Sequence, residues 1–107
     1  MKAPKTGNSF GLPAYAMESL NGVFRKHPAI DQVTLYGSRA KGNFRHNSDI
    51  DLMITAPEMD WSEFNQMGTE IDDLLLPWKV DLALLNHIEN QDLLDHVSRV
   101  GVQIFGN

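Results

Sequence analysis

Apolar residues along the chain follow two spacings, the three-to-four-residue repeat of helices and the two-residue repeat of strands. Phe64, Met67 and Ile71 illustrate the helical repeat, and Leu82 and Leu84 the strand repeat. Prolines and glycines mark the ends of these stretches. The first half of the chain is predicted to form a helix at 13–26, a strand at 32–36, a helical turn at 38–42 and a strand at 49–54. A helix follows, which Asp60 and Glu63 cap and Pro77 ends. The pattern then predicts a strand at 78–85 and a helix at 90–100.

The lengths of the connections predict how the three strands are arranged. The link between the first and second strands is too short for a parallel crossover, so we expect these strands to be antiparallel. The link between the second and third strands carries a full helix, which allows a right-handed parallel crossover. The sequence therefore predicts an α+β fold, a small mixed β-sheet with helices mainly on one face. Residues 1–11 are predicted to be a loose N-terminal segment, residues 12–107 a single domain, and residues 102–105 either a final short strand or an apolar tail.

Three aspartates interrupt the predicted strands and form the main candidate site. Asp49 and Asp51 stand one residue apart, so a strand directs both side chains to the same face. Asp81 interrupts the third strand in the same way and shares that face if the two strands are neighbours. Carboxylates placed side by side repel unless a cation lies between them, and hard oxygen donors suit a divalent ion such as Mg²⁺. The simpler alternatives are a turn residue for Asp49 and an edge residue facing water for Asp81.

A glycine and several polar residues precede these aspartates. Gly37 allows a ligand to approach the backbone closely, and Ser38 begins a turn whose N–H groups can face an anion. Arg39 and Lys41 can balance the charge of a triphosphate. The alternative role of Ser38 is to cap a helical turn, and the alternative for Arg39 and Lys41 is a solvated loop. An anion-binding turn next to paired carboxylates indicates a site for a metal-bound nucleoside triphosphate.

The composition of the 107 residues narrows the class of protein. Hydrophobic residues make up 42% and charged residues 21%, which is typical of a globular chain, and the absence of cysteine excludes disulfides and thiolate metal sites. The chain lacks the pattern of a signal peptide and an apolar run of membrane-spanning length, so we expect a cytoplasmic protein with no membrane partner. The net charge of −5 disfavours a nucleic-acid partner. The four histidines lack the close spacing of a metal site and are interpreted as solvated.

The spacing of the candidate residues resembles the signature of the DNA polymerase beta-like nucleotidyltransferase superfamily. That signature is Gly-Ser, ten intervening residues and Asp-x-Asp, which Gly37, Ser38, Asp49 and Asp51 match without a gap. The resemblance implies the nucleotidyltransferase fold and assigns Asp49, Asp51 and Asp81 to catalysis and to Mg²⁺, with two ions expected. It also implies a nucleoside triphosphate as the substrate, attack by a hydroxyl on the α-phosphorus and release of pyrophosphate.

Within that superfamily the chain resembles the minimal nucleotidyltransferase (MNT) antitoxins of HEPN/MNT toxin–antitoxin pairs. The resemblance rests on residues 75–81 and on the third strand being followed by only about twenty residues, too few for the acceptor-binding domain of larger relatives. It implies transfer of AMP from ATP to a hydroxyl of a helical HEPN-type partner protein. Two alternatives stay open: an antitoxin that neutralises its partner by contact alone, and transfer to a small molecule such as an aminoglycoside, with a homo-oligomer completing the pocket.

Overall fold

The computed structural model of the protein describes residues 9–106, with the side chain of Ser9 and the two chain ends outside the description. It contains four helices and four strands within these residues, together with 3₁₀ turns at Ser9–Gly11 and Leu85–His87. Their order is α1 (Ala14–Arg25), β1 (Gln32–Tyr36), α2 (Gly37–Lys41), β2 (Ile50–Thr55), α3 (Trp61–Asp72), β3 (Val80–Leu84), α4 (Gln91–Val100) and β4 (Val102–Gly106).

All the helices and strands predicted from the apolar spacing are present, with bounds that shift by a few residues. The ambiguous C-terminal stretch forms a true strand, β4. The segment predicted to be loose lies mostly outside the described residues, but its last part, Ser9–Gly11, forms a 3₁₀ turn, and Phe10 packs against the core. Among the described residues, no helix has both the length and the apolar character that crossing a membrane requires.

The four strands form one mixed sheet in the order β3-β2-β1-β4. Strand β1 runs antiparallel to both β2 and β4, whereas β2 and β3 are parallel. Both predicted strand pairings are therefore confirmed, as is the α+β fold with a small mixed sheet. The register places Asp51 directly beside Asp81 on one side and beside Tyr36 on the other. These three residues consequently lie in one row across the sheet.

The two faces of the sheet differ sharply in polarity. Val33, Leu35, Leu52 and Ile54 are all buried on one face, because side chains alternate along each strand. Helices α1 and α3 cover this face, and their buried side chains complete the core; these are Ala16, Leu20, Val23 and Phe24 from α1 and Met67 and Ile71 from α3. The opposite face carries the row of Asp51, Asp81 and Tyr36.

Helix α4 lies against the polar face of the sheet, beside β1. Its His96 ring meets the Tyr36 ring edge-on, with centroids 6.1 Å apart. At the C-terminal end of the helix, a Cβ added to Gly101 would come within 2.6 Å of Thr34 Cγ2. Both Tyr36 and Thr34 alternate with core residues of β1, so these contacts fix the face on which α4 packs. No residue of α4 is buried, which makes it the most exposed of the three long helices.

The N-terminus of α3 is capped as predicted, but the second half of the predicted capping box is missing. Oδ1 of Asp60 accepts a hydrogen bond of 2.8 Å from the backbone N–H of Glu63. The carboxylate of Glu63 does not return to Asp60; it binds His27 at the end of α1. The capping prediction therefore missed a tertiary contact that uses the same side chain.

His27 is buried between two glutamates, so the interpretation of this histidine as solvated is wrong. Its Nδ1 lies 2.8 Å from Oε2 of Glu63, and its Nε2 lies 2.7 Å from Oε1 of Glu70. Because both ring nitrogens face carboxylate oxygens, both must donate, which requires the imidazolium form. Burial lowers the pKa of His27, but the hydrogen bonds and charges of Glu70 and Glu63 outweigh it and leave the pKa above its usual value. The same contact with His27 lowers the pKa of Glu70.

This cluster predicts that stability falls as the pH rises above neutrality. The folded pKa of His27 is raised, so its contribution is fully present below the unfolded pKa of about 6.5 and is lost as the pH rises through the folded value. Melting temperatures measured from pH 6 to pH 9 should decline, and this part of the decline should vanish in His27→Gln. The exposed His46 provides the control, since His46→Gln should keep the wild-type pH profile. A decline that is identical in both variants would contradict the assignment.

Candidate active site

The centre of the candidate site is the pair of carboxylates on the neighbouring strands β2 and β3. Asp51 and Asp81 occupy the same register position and both are half-buried. Burial raises the pKa of Asp51, and the charges of Asp81 and Asp49 together with a hydrogen bond between the Asp51 and Asp81 carboxyl groups raise it further. The ionised forms of these neighbouring carboxylates are unfavourable together, and a bound cation would stabilise them.

Asp49 lies at the edge of this pair. It is exposed and precedes the first residue of β2, Ile50, whereas the sequence predicted it as the first residue of the strand. Its charge contributes to the raised pKa of Asp51. Asp81 also approaches Lys79, whose Nζ lies 3.5 Å from its Oδ1, but the Lys79 side chain is exposed and pairs open to solvent stabilise little.

The donor set fits a hard divalent cation, although it is not assembled into a finished metal centre. In the described part of the chain, no three Asp, Glu, His or Cys side chains converge closely enough to hold an ion. The two half-buried carboxylates nevertheless stand side by side in the sheet, and Asp49 precedes Asp51 by two residues. Carboxylate oxygens are the ligands that Mg²⁺ prefers, and Mg²⁺ needs only one or two of them when substrate phosphates supply the rest.

The Gly37-Ser38 turn lies immediately beside Asp51. Gly37 is the first residue of α2 and has a φ of +76°, a left-handed conformation that glycine adopts without strain. A Cβ at this position would collide with Oδ2 of Asp51, so only glycine allows the carboxylate to pack on the backbone here. The N-cap of α2 is Tyr36, so Ser38 is not the cap of this short helix. The structure thus brings the predicted anion-binding turn and the predicted metal carboxylate into contact.

Arg39 does not face the site, and the geometry does not support its predicted contact with the triphosphate. The side chain is 1% exposed, and its guanidinium donates to three backbone carbonyl oxygens: Phe10 at 2.6 Å, Ser48 at 2.8 and 3.1 Å, and His46 at 3.2 Å. Rings of Phe44 and Trp78 flank it, with centroids 5.2 and 5.9 Å from Cζ. Arg39 therefore ties α2 to the segment that leads into Asp49.

Lys41 is the last residue of α2 and is exposed. Its predicted role in balancing triphosphate charge stays a prediction, as do the nucleotide-binding roles of Gly37 and Ser38. Nothing in its position conflicts with that role, because an exposed lysine one turn beyond Ser38 can swing towards a ligand bound there.

His96 is the residue of the site that the sequence did not reveal. Its Nε2 accepts a hydrogen bond of 3.1 Å from the backbone N–H of Gly37, across 59 positions of sequence. The interpretation of this histidine as solvated is therefore wrong. The available signal was that His96 lies three residues after Leu93 and four before Val100, on the apolar stripe of its helix.

Tyr36 borders the site. It lies beside Asp51 in the sheet and contacts the ring of His96. Burial raises the pKa of Tyr36, and the charges of Asp51 and Asp81 raise it further, so the phenol stays neutral at physiological pH. Its hydroxyl is thus a neutral polar group next to the carboxylates.

Comparison with solved structures identifies the fold. The chain is similar to a chain in a crystal structure of a toxin–antitoxin with AMP-PNP, at 25% identity and a TM-score of 0.69, over 85% of this chain and 73% of that one. It is also similar to a chain of the toxin–antitoxin MntA-HepT, at 22% identity and a TM-score of 0.64, over 87% and 72%. A third similar chain belongs to the tri-AMPylated Shewanella oneidensis HEPN toxin in complex with MNT antitoxin, at 21% identity and a TM-score of 0.65, over 87% and 71%.

Comparison with protein families identifies the family. No curated protein matches the chain. The family model described as "Polymerase beta, Nucleotidyltransferase" matches residues 18–107, which include most of α1, every later element and all the candidate site residues. Because this match covers far more than half of the sequence, the chain belongs to the polymerase beta nucleotidyltransferase family.

Proposed function

We propose that the protein is a Mg²⁺-dependent nucleotidyltransferase that transfers AMP from ATP to a hydroxyl of a helical HEPN-type partner protein and thereby acts as an antitoxin. The observation that carries this proposal is the in-register pair of Asp51 and Asp81, of which Asp51 packs directly against Gly37. The similar chain solved with AMP-PNP supports a nucleotide substrate. The similar chain from the complex of an AMPylated HEPN toxin with its MNT antitoxin supports the acceptor.

The residues of the site form two groups, one that would hold the metal and one that would hold the phosphates. Asp49, Asp51 and Asp81 would hold Mg²⁺, which when bound neutralises charge on the phosphates and acidifies the attacking hydroxyl. The Gly37-Ser38 turn would hold the phosphates that leave. The side chain of Asp81 is 42% exposed, so an acceptor hydroxyl can reach it and give up its proton there. The new bond joins the acceptor oxygen to the α-phosphorus, the bond to the β-phosphate oxygen breaks, and pyrophosphate leaves.

The second candidate function is neutralisation of the partner protein by contact alone, without transfer of AMP. Helix α4 packs on the sheet, but its apolar residues Leu93, Leu94, Val97 and Val100 stay only half-buried there. A partner that covered their exposed part would gain apolar contact whether or not the site were active. The lack of a finished three-residue metal centre among the described residues also suits an idle site.

The test is to incubate the full chain with its cognate helical partner, ATP and Mg²⁺ and to measure the intact mass of the partner. We expect mass increments of one AMP unit each. The double variant Asp49→Asn/Asp51→Asn should reduce the rate by at least about 100-fold, since the loss of one outer-shell partner of a metal can already cost that much. Asp72→Asn/Asp73→Asn, which removes two exposed carboxylates at the end of α3, is the charge-matched control and should transfer normally.

The outcomes separate the candidates. If the partner is neutralised without any mass change, and the Asp49→Asn/Asp51→Asn variant neutralises it equally well, contact is the mechanism. If the partner is neither modified nor neutralised while an aminoglycoside gains AMP, the acceptor is a small molecule. If both double variants lose activity equally, the loss reflects general charge and the assigned site is wrong.

A further inference from the structure

The hydrogen bond between His96 and Gly37 joins α4 to the candidate site. Gly37 starts the turn proposed to hold the nucleotide phosphates, and His96 approaches it from the helix that packs on the polar face of the sheet. Because Nε2 of His96 accepts the amide proton, the ring is neutral and carries its own proton on Nδ1. The imidazole is half-buried, and its ring rests edge-on against Tyr36, which limits its rotation.

A contact with Gly37 directly affects the geometry of the candidate site. Its left-handed conformation and the packing of the Asp51 carboxylate on its backbone together set the distance between the turn and the metal carboxylates. The amide of Gly37 is directed to His96, so this donor orients the turn and is not offered to a ligand. The Asp51 side chain holds Gly37 from the sheet, and the His96 side chain holds it from α4.

We propose that His96 is a positioning residue, which through the Gly37 amide holds the Gly37-Ser38 turn against Asp51 at the spacing that a metal-bound nucleoside triphosphate requires. The consequence for nucleotide binding rests on the proposed function, whereas the positioning of the turn does not. No other described element supplies a side chain to the Gly37 amide, since its recorded acceptor is His96 alone. The seating of α4 is thereby coupled to the geometry of the site.

Two substitutions at position 96 separate this role from simple packing. Glutamine can place its Oε1 where the Nε2 of His96 lies, so His96→Gln should keep an acceptor for the Gly37 amide. Leucine has a similar volume and a better helix propensity but offers no acceptor, so His96→Leu should lose the hydrogen bond while keeping the helix. The control is His46→Leu, the same chemical change at an exposed position outside the sheet and helices.

The first measurement is the backbone amide spectrum of the nucleotide-free protein, which at 12.0 kDa is accessible to NMR. The amide resonance of Gly37 should move upfield and its hydrogen exchange should accelerate in His96→Leu, and both should stay close to wild type in His96→Gln and His46→Leu. If His96→Leu changes neither the resonance nor the hydrogen exchange of the Gly37 amide, the proposal is wrong, whether or not the protein binds nucleotides.

The second measurement is binding and turnover of ATP with Mg²⁺. We expect His96→Leu to weaken nucleotide affinity by about 3- to 10-fold, the loss typical of one neutral hydrogen bond. The KM for ATP should rise while the KM for the protein acceptor stays constant, and His96→Gln should restore most of the affinity. Equal losses in the leucine and glutamine variants would overturn the positioning role.

A failure of the proposed function has a different signature. If the wild-type chain binds no ATP in the presence of Mg²⁺, while the Gly37 amide still responds to His96→Leu and not to His96→Gln, the nucleotidyltransferase proposal fails. His96 then still positions the turn, for a ligand of another kind. If the wild type binds ATP and neither variant changes the Gly37 amide or the affinity, the proposed function stands and the His96 proposal is wrong.

Discussion

Replacing Arg39 with methionine is expected to lower the free energy of unfolding by about 3–5 kcal/mol. The side chain is fully buried and donates four hydrogen bonds to the carbonyl oxygens of Phe10, His46 and Ser48. The carbonyl oxygens of Phe10 and Ser48 lose the Arg39 donor at a cost of about 1–3 kcal/mol each, whereas that of His46 keeps the Trp78 indole N–H as a donor at 2.9 Å. Since small domains are stable by about 5–15 kcal/mol, the variant should be close to unfolding at physiological temperature.

Urea unfolding at constant pH measures this loss. Arg25→Met provides the control, because Arg25 is exposed on α1 and its replacement should change the stability by less than about 0.5 kcal/mol. Arg39→Lys keeps the charge but cannot supply the forked donors, so we expect it to lose at least half as much stability as Arg39→Met. If Arg39→Met proves as stable as Arg25→Met, Arg39 is not the structural tie that its contacts indicate.

Most of the fold was predictable because the signals for it are local. The apolar repeats of α1 and α3 have the helical period, and those of β1 and β3 have the strand period, with Pro28 and Pro77 at the boundaries. The strand arrangement followed from connection length alone. The assignment of β4 was open, because a short apolar tail and an edge strand look alike in sequence; its pairing with β1 is a tertiary event.

The site was predictable where the spacing of its residues follows the strand period. Gly37, Asp51 and Asp81 could be placed on one side of the sheet from the strand period and the expected order of strands. Arg39 could not be assigned correctly, since a basic residue after Gly-Ser has the same sequence appearance whether it faces phosphate or turns inward. What decides its direction is the path of residues 43–48, which brings the carbonyl oxygens of His46 and Ser48 within hydrogen-bonding distance of its guanidinium.

The contacts of His27 and His96 could not be predicted either, because their partners are distant in sequence. His27 lies 36 positions from Glu63 and 43 from Glu70, and His96 lies 59 positions from Gly37, so no local pattern could pair them. A histidine next to a proline and a histidine within a helix both look solvated when only their neighbours are considered. Each of these contacts instead joins two helices, His27 across the apolar face and His96 across the polar face of the sheet.

The Gly37-Ser38 turn is held from several directions at once. Arg39 ties α2 to the segment before Asp49, His96 binds the first amide of α2, and Asp51 packs on its backbone. A turn that is fixed in this way is preorganised, so less of the binding energy of a ligand is spent on ordering it. Gly37 is the residue where the contacts of His96 and Asp51 meet, and its replacement is therefore the most direct perturbation of the site.

Gly37→Ala is expected to lower stability by about 2–4 kcal/mol and nucleotide affinity by more than about 10-fold. Part of the stability loss is backbone strain, because alanine disfavours the φ of +76° by about 1–2 kcal/mol. The remainder arises because the new Cβ would occupy the place of Oδ2 of Asp51 and displace the carboxylate from the site. The displacement, more than the strain, should impair the binding of ATP with Mg²⁺ measured by calorimetry.

Variants at Gly42 and Asp51 separate the effect of backbone strain from the effect of the displaced carboxylate. Gly42 has a φ of +93° and nothing within 4 Å of an added Cβ, so Gly42→Ala should show the strain alone, about 1–2 kcal/mol, with unchanged nucleotide affinity. In an Asp51→Ala background only the Asp51 Cβ remains, 3.5 Å from the new methyl, which is an ordinary contact. The extra cost of Gly37→Ala over Gly42→Ala should therefore disappear in that background, as a double-mutant cycle of unfolding free energies will show. If the cost of Gly37→Ala is the same with and without the Asp51 carboxylate, then strain alone is responsible, and the packing of Asp51 on Gly37 does not organise the site.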